Sequence, residues 1–162
     1  MKKKIVCLAI FSLPFARLTI WLLITGGFLI LPSLGQWQKK GCLFSQTLSG
    51  GREDHSLLLC SDDTEMAWGS NSSGQLGDGT TTDRYSPVAV SSLTNLIATS
   101  GGEDHSIALK SDGTIWAWGS NLRGQLGDGT TTDRTTAVQM TSLSGITAIA
   151  GGRNHSLALK SD

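Results

Sequence analysis

The chain of 162 residues has few charged side chains, few prolines and few cysteines. Charged residues make up 16% of the sequence, and thirteen basic residues balance thirteen acidic ones. This composition excludes a coiled coil and a charge-rich disordered tail, because both need more charge. The three prolines exclude a collagen-like helix, although twenty glycines are more than an average domain carries. The length suits a single domain.

Most of the chain has no excess of basic residues. Residues 1–35 contain four basic residues and no acidic ones, so residues 36–162 contain nine basic and thirteen acidic residues, a net charge of −4. A negative surface repels phosphate backbones, so we expect no nucleic acid among the partners.

Residues 1–35 have the pattern of an export signal. Three lysines at positions 2–4 precede a mainly apolar stretch, whose cleanest apolar run, 18–31, suits a signal peptide better than a membrane span. Small residues precede Gln36, where a signal peptidase would cleave. We expect a signal peptide and a secreted or cell-surface protein. The alternative is an uncleaved anchor, which is the only membrane contact that we expect.

The three cysteines leave the question of a disulfide open. Cys7 would be removed with a signal peptide, whereas Cys42 and Cys60 would remain, without a CxxC motif or metal-ligand spacing. In an exported protein these two residues could pair. The alternative is two unrelated buried thiols.

A fifty-residue repeat dominates the rest of the chain. The three histidines are fifty residues apart, and residues 51–100 match residues 101–150 at 29 of 50 positions without a gap. We therefore divide the chain into 1–35, the signal peptide or anchor; 36–50, a partial leading repeat; 51–100 and 101–150, two complete repeats; and 151–162, the start of a truncated repeat.

The apolar period within a repeat is two, which predicts strands rather than helices. The residues from His105 to Leu109 alternate between two faces, and the turn that ends at Gly113 predicts a hairpin with the strand that follows. Val138–Met140 and Ile146–Ile149 are the strand candidates that close the unit. Four short strands in about fifty residues are typical of a propeller blade.

The string Gly-Gly-Glu-Asp-His-Ser-Ile-Ala-Leu-Lys-Ser-Asp-Gly-Thr-Ile-Trp-Ala-Trp-Gly-Ser-Asn at 101–121, followed by Gly-Gln-Leu-Gly-Asp-Gly, resembles the regulator of chromosome condensation repeat. The resemblance covers about residues 43–162. It implies an all-β fold of β-propeller blades with four antiparallel strands each, and a complete propeller of seven blades. Because the chain supplies about two and a half repeats, we expect an incomplete propeller from a longer protein. The alternative is the assembly of several chains into one ring.

The resemblance admits several functions. We expect a non-catalytic module for protein–protein recognition that has a protein partner, no cofactor, no metal and no enzymatic activity. The alternatives are a regulator that exchanges guanine nucleotides on a small GTPase and a secreted enzyme inhibitor of the propeller type. Exchange activity in the family depends on an insertion between strands, and the gapless repeat leaves no such insertion.

Residues that recur in the repeats are expected to hold the blades together. The histidines stand in different blades, where we expect them to bond to glycine-rich backbone instead of forming a metal site. The tryptophans are expected in the core between blades, and the Gly-Gln-Leu-Gly-Asp-Gly loop is expected to be structural rather than a nucleotide or calcium site. The predicted structural anchors are His55, His105, His155, Trp68, Trp116, Trp118 and Gly113.

Residues that differ between the two complete copies are candidates for partner contact. They lie in loops with an unchanged framework, as expected for the binding face of a propeller. The alternative is neutral variation of the surface. The candidates are Ser72, Ser73, Tyr85, Leu122, Arg123 and Thr135. Asn71 and Asn154 begin glycosylation sequons, which matter only if the host glycosylates.

Overall fold

The computed structural model describes residues 45–51, 54–140 and 143–161, with side chains from Ser49 onward. All ten elements of this part are strands. No helix within the described ranges is long and apolar enough to cross a membrane. The expected signal peptide or anchor at 1–35 lies outside the described residues.

The strands form antiparallel sheets in which sequence neighbours are spatial neighbours. The prediction of an all-β fold with four-stranded antiparallel blades is therefore confirmed. The first sheet contains β1 (Ser45–Gly50), β2 (His55–Cys60), β3 (Glu65–Gly69) and β4 (Arg84–Ala89). The second contains β5 (Leu96–Gly101), β6 (His105–Lys110), β7 (Ile115–Gly119) and β8 (Arg134–Gln139). The third contains β9 (Ile146–Gly151) and β10 (Ser156–Lys160).

The sheet boundaries are shifted by one strand from the unit expected from the sequence. The candidate at Ile146–Ile149 belongs to β9, which pairs with β10 and therefore begins the third sheet instead of closing the second. The candidate at Val138–Met140 overlaps the end of β8, which pairs with β7 and ends the second sheet. A sequence period shows the length of a repeat, but strand pairing decides where the repeat divides.

A tight turn at Gly113 closes the hairpin of β6 and β7. Gly113 adopts a φ of 78°, and its N–H donates to Lys110 O at 2.9 Å. Asp112 Oδ1 accepts hydrogen bonds from Thr114 N at 2.9 Å and from Thr114 Oγ1 at 2.6 Å. Asp63 takes the same place in the first hairpin with a φ of 60°, which aspartate tolerates better than most residues.

Apolar side chains fill the space between successive sheets. Leu57 and Leu59 of β2 pack with Ala108 of β6 and Trp118 of β7 in one cluster. A second cluster joins Ile107, Leu109 and Ala117 of the second sheet to Ile146 of β9. Strand β6 is therefore buried on both faces, because one face meets the sheet before it and the other meets the sheet after it.

The first strands of successive sheets also lie side by side. Gly101 N donates to Ser49 Oγ at 3.1 Å, and Gly151 N donates to Ser100 Oγ at 3.0 Å. A Cβ atom on Gly101 would lie 2.7 Å from Gly51 N, so this backbone approach needs a glycine. The sheets are thus joined both at their first strands and across their faces.

Candidate protein-recognition surface

The loops that follow β3 and β7 are built around a buried asparagine. Asn71 is 0% exposed, and its Nδ2 donates to Thr80 O at 3.1 Å and Thr82 O at 3.0 Å. Its Oδ1 accepts a hydrogen bond from Leu76 N at 2.9 Å. An amide held in this way is not available to a glycosyltransferase while the loop is folded.

The second loop repeats this network. Asn121 Nδ2 donates to Thr130 O and Thr132 O, each at 3.1 Å, and Oδ1 accepts from Leu126 N at 3.0 Å. Asn121 N donates to Asp133 Oδ1 at 2.7 Å. Two loops with different tips therefore share one framework.

An ion pair closes each loop onto the strand that follows. Arg84 Nη2 lies 2.7 Å from Asp78 Oδ2, and the corresponding distance between Arg134 and Asp128 is 2.8 Å. Burial raises the pKa of Asp78, but hydrogen bonds from Thr80 and Arg84 outweigh this effect and leave the pKa below its usual value. The Asp78 carboxylate is thus bonded to groups of its own loop and of β4.

The same opposing effects act on the pKa of the corresponding aspartate in the second loop. Burial alone would raise the pKa of Asp128, but hydrogen bonds from Thr130 and Arg134 lower it to about 2. The described residues contain no group of three or more histidine, cysteine, aspartate or glutamate side chains that could hold a metal ion. The polar groups of each loop therefore bind one another.

The tips of the loops carry the variable side chains. At the tips Ser72 and Arg123 are exposed and Leu122 is 73% exposed. Tyr85, the second residue of β4, is 98% exposed. A framework bond holds the tip of the second loop in place, because Arg123 N donates to Gln125 Oε1 at 2.9 Å. Four of the six predicted contact residues thus point into solvent from ordered backbone.

Ser73 and Thr135 are half-buried because the first loop packs on the beginning of β8. A Cβ atom on Gly74 would lie 2.8 Å from Thr135 Cα, and Gly79 N donates to Thr135 O at 3.0 Å. The structure therefore brings the Ser72–Ser73 tip together with Thr135. Leu122 and Arg123 occupy the corresponding loop tip of the second sheet, at the same end of the strands.

Two of the three predicted histidine anchors, His55 and His105, bond to serines of the following sheet. His55 Nε2 lies 3.2 Å from Ser106 Oγ, and His105 Nε2 lies 3.1 Å from Ser156 Oγ. Ser106 Oγ donates to Gln75 O at 2.8 Å, so the histidine must donate to the serine. For His55 and His105 the observed partner is thus a serine where glycine backbone was expected. The nearby glycines supply space instead, since a Cβ atom on Gly102 would lie 2.1 Å from His105 Cε1.

The histidine–serine pairs do not have the geometry of a hydrolase site. Each serine proton already points to a carbonyl, and His105 Nδ1 has no hydrogen-bond partner in the described part of the chain. A catalytic histidine would accept the serine proton and would itself be oriented by an acid. Burial, followed by the charge of His155, lowers the pKa of His105 to about 4. His155 itself is exposed.

The three predicted tryptophan anchors have different environments. Trp118 is 0% exposed, and its Nε1 donates to Gln75 O at 3.0 Å. Trp116 is half-buried against the same core and lies under Lys110 Nζ at 5.2 Å from the ring centroid. Trp68 is half-buried against the cluster of Leu58, Cys60 and Met66.

Sequence reasoning missed two polar contacts between sheets. Glu65 is 1% exposed, and Thr99 Oγ1 of the second sheet donates to its Oε1. Arg153 Nε donates to both carboxylate oxygens of Glu103, at 2.7 and 2.8 Å. The one available signal for Glu65 was its departure from the repeat, because the second copy has Ile115 at that position.

Cys60 is disulfide-bonded. The other two cysteines of the sequence, Cys7 and Cys42, lie outside the described residues. An open groove of about 300 Å³ lies on the third sheet, and its lining is aliphatic: Ala148, Ile149, Ala150, Leu157, Ala158 and Leu159.

Four-stranded antiparallel sheets that follow one another and pack face to face define a β-propeller, of which the described residues form a part. The family model of the regulator of chromosome condensation (RCC1) repeat matches residues 67–109 and 112–159, and a second model of the repeat matches residues 97–125. The chain belongs to this repeat family.

Solved structures show the same fold. Human WBSCR16 is 23% identical with a TM-score of 0.64 over 72% of this chain and 31% of its own. Prp20p from Saccharomyces cerevisiae, which binds Gsp1p and histones, is 18% identical with a TM-score of 0.65 over 74% and 32%. Yeast RCC1 (Prp20) bound to Kap60 is 22% identical with a TM-score of 0.60 over 72% and 30%. This chain thus spans about a third of their length. No curated protein sequence matches it.

Proposed function

We propose that this chain is a non-catalytic recognition module that binds a protein partner through the loop tips that follow β3 and β7. The observation that carries this proposal is the contrast within each loop. The framework of the two loops is the same hydrogen-bonded network, whereas the exposed residues at their tips differ: Ser72-Ser73 in one and Leu122-Arg123 in the other.

The chemistry of the tips supports protein recognition. Leu122 at one tip and Tyr85 at the start of β4 expose large apolar surface, and Arg123 adds a charged group next to Leu122. Tyrosine and arginine are enriched at the energetic centres of protein interfaces, and a preordered loop loses little conformational entropy on binding. The negative charge of residues 36–162 also favours a protein partner over nucleic acid.

Site-specific photo-crosslinking tests this proposal. A benzoylphenylalanine residue is placed at position 122, at position 85 or, as a control, at Ser111. Ser111 is exposed in the β6–β7 turn, which lies at the opposite end of the strands from the loop tips. We expect positions 122 and 85 to capture a protein that position 111 does not capture. Equal capture at all three positions, or none, would contradict the proposal.

The same experiment distinguishes the alternatives. Capture of a small GTPase would support the exchange-factor hypothesis, and capture of an enzyme whose active site is then blocked would support the inhibitor hypothesis. If positions 122 and 85 capture a protein that belongs to neither class, the general recognition module remains the correct description.

We also propose that the protein is exported and is secreted or displayed at the cell surface. The three lysines and the apolar run within residues 1–35 support this proposal. The disulfide bond of Cys60 also supports it, because disulfides persist mainly in oxidising compartments. N-terminal sequencing of the mature protein is expected to begin at or near Gln36. Intact Met1 in a soluble cytoplasmic fraction would contradict export, and intact Met1 in membranes would select the anchor.

A further inference from the structure

A buried glutamine stands between each loop tip and the sheet that follows. Gln75 is 0% exposed and Gln125 is 5% exposed, although each lies beside the variable part of its loop. Gln75 Oε1 accepts a hydrogen bond from Ser73 N at 2.9 Å. In the second loop Gln125 Oε1 accepts the equivalent bond from Arg123 N, also at 2.9 Å. The side chain of the glutamine therefore fixes the backbone of the tip.

The main chain of the same glutamine binds the following sheet. Gln75 O accepts hydrogen bonds from Ser106 Oγ at 2.8 Å and from Trp118 Nε1 at 3.0 Å. Gln125 O accepts the equivalent serine bond, from Ser156 Oγ at 2.8 Å. One residue thus holds a loop tip with its side chain and the next sheet with its main chain.

Each of these serines also accepts a hydrogen bond from a histidine of the preceding sheet. His55 Nε2 lies 3.2 Å from Ser106 Oγ, and His105 Nε2 lies 3.1 Å from Ser156 Oγ. The serine hydroxyl is therefore shared by both bonds of the contact, one to the glutamine carbonyl and one to the histidine ring. Removal of this hydroxyl disturbs the contact between two sheets without a change in the loop tip itself.

We propose that Gln75 and Gln125 are positioning residues that couple the order of each loop tip to the contact between its sheet and the next. The physical basis is local opening of the tip, which becomes more frequent when the glutamine loses a bond on either side. Each recognition tip is then fully ordered only when the next sheet is in place. The word recognition rests on the proposed function, whereas the coupling of tip and sheet does not.

The first test changes the side chain of Gln125 in the full chain and follows amide hydrogen exchange by NMR. Gln125→Met keeps the length of the side chain but has no acceptor oxygen. We expect Arg123 N–H to exchange about ten-fold faster in this variant, the factor that corresponds to the loss of one hydrogen bond. Gln125→Glu restores an acceptor oxygen and should return the exchange rate to within about two-fold of wild type.

The order of these two variants separates positioning from packing. If Gln125 only filled space, methionine would be tolerated better than a buried carboxylate, so Gln125→Glu would exchange faster than Gln125→Met. That order, or an unchanged rate at Arg123 in Gln125→Met, would overturn the positioning role. The measurement needs no partner, so it decides the coupling even where photo-crosslinking contradicts the proposed function.

Two serine variants form a crossed control for the coupling between tip and sheet. Ser156→Ala removes the hydroxyl between the second and third sheets, and Ser106→Ala removes the hydroxyl between the first and second. We expect Ser156→Ala to speed exchange of Arg123 N–H about three-fold, a typical effect of coupling through a bonded network, and to leave Ser73 N–H unchanged. Ser106→Ala should speed exchange of Ser73 N–H and leave Arg123 N–H unchanged. Equal acceleration at both tips, which indicates a general loss of stability, or acceleration at neither tip would overturn the proposal.

Discussion

The buried carboxyl group of Glu65 gives the stability of the protein a predicted dependence on pH. Glu65 stands in β3 where the next repeat has Ile115, and it is 1% exposed between the first two sheets. Burial raises the pKa of Glu65 to about 8, although a hydrogen bond from Thr99 partly opposes this effect. The folded protein therefore holds this group neutral at pH 7, whereas the unfolded chain ionises it.

The size and sign of the effect follow from the two pKa values. The ordinary pKa of a glutamate side chain is 4.5, and in the folded protein the pKa of Glu65 is about 8. The contribution of Glu65 to folding stability is therefore fully present below pH 4.5 and is lost as the pH rises through about 8. Each pKa unit corresponds to about 1.4 kcal/mol, which gives a loss of about 3 kcal/mol between pH 5 and pH 8. Two substitutions should remove this loss of stability. One is Glu65→Gln, and the other is Glu65→Ile, which introduces the residue found at this position in the next repeat.

Urea denaturation of the wild type and the two variants between pH 5 and pH 8 measures this effect. The difference in free energy of unfolding between wild type and variant should change by about 3 kcal/mol over this range, with the wild type weakening toward pH 8. Other titrating groups contribute to both proteins and cancel in the difference. A difference that is independent of pH would refute the assignment of a neutral, buried Glu65.

Four further substitutions test the framework and one of its exposed tips. Trp118→Ala should cost about 3–5 kcal/mol in denaturation, as for a buried aromatic residue, whereas Arg123→Ala should change stability by no more than about 0.5 kcal/mol. Asn121→Ala should lower the melting temperature and speed hydrogen exchange in the loop of residues 120–133, because several backbone groups lose their partner. Burial lowers the pKa of His105 to about 4 from 6.5. The contribution of this histidine to folding stability is therefore fully present above pH 6.5 and is lost as the pH falls toward 4. The difference in free energy of unfolding between wild type and His105→Gln should therefore narrow by up to about 3 kcal/mol over that range.

Much of the fold follows from the sequence because the repeat is regular. The fifty-residue spacing of the histidines and the alternation after His105 predicted hairpins, and Gly113 marked the turn that joins β6 to β7. The division into sheets did not follow, because a periodic pattern is unchanged wherever it is cut. The pairing of β9 with β10 supplied that information.

The contacts between sheets were harder to predict than the strands. The partner of His105 is Ser156, 51 residues away, and no local pattern distinguishes this serine from a surface residue. Asn71 has the sequence of a glycosylation acceptor, yet the loop closes around its amide. Both results depend on which segments meet in space, whereas the exposed tips could be recognised from the differences between the repeats.

The most direct test of the recognition surface is the affinity of the crosslinked partner for a loop-swapped protein. Leu122→Ser combined with Arg123→Ser gives the second loop the tip of the first loop and leaves its framework unchanged. We expect the dissociation constant to rise at least about ten-fold, a loss of about 1.4 kcal/mol, while the melting curve stays that of the wild type. Unchanged affinity for the swapped protein would contradict the proposal that these loop tips bind the partner.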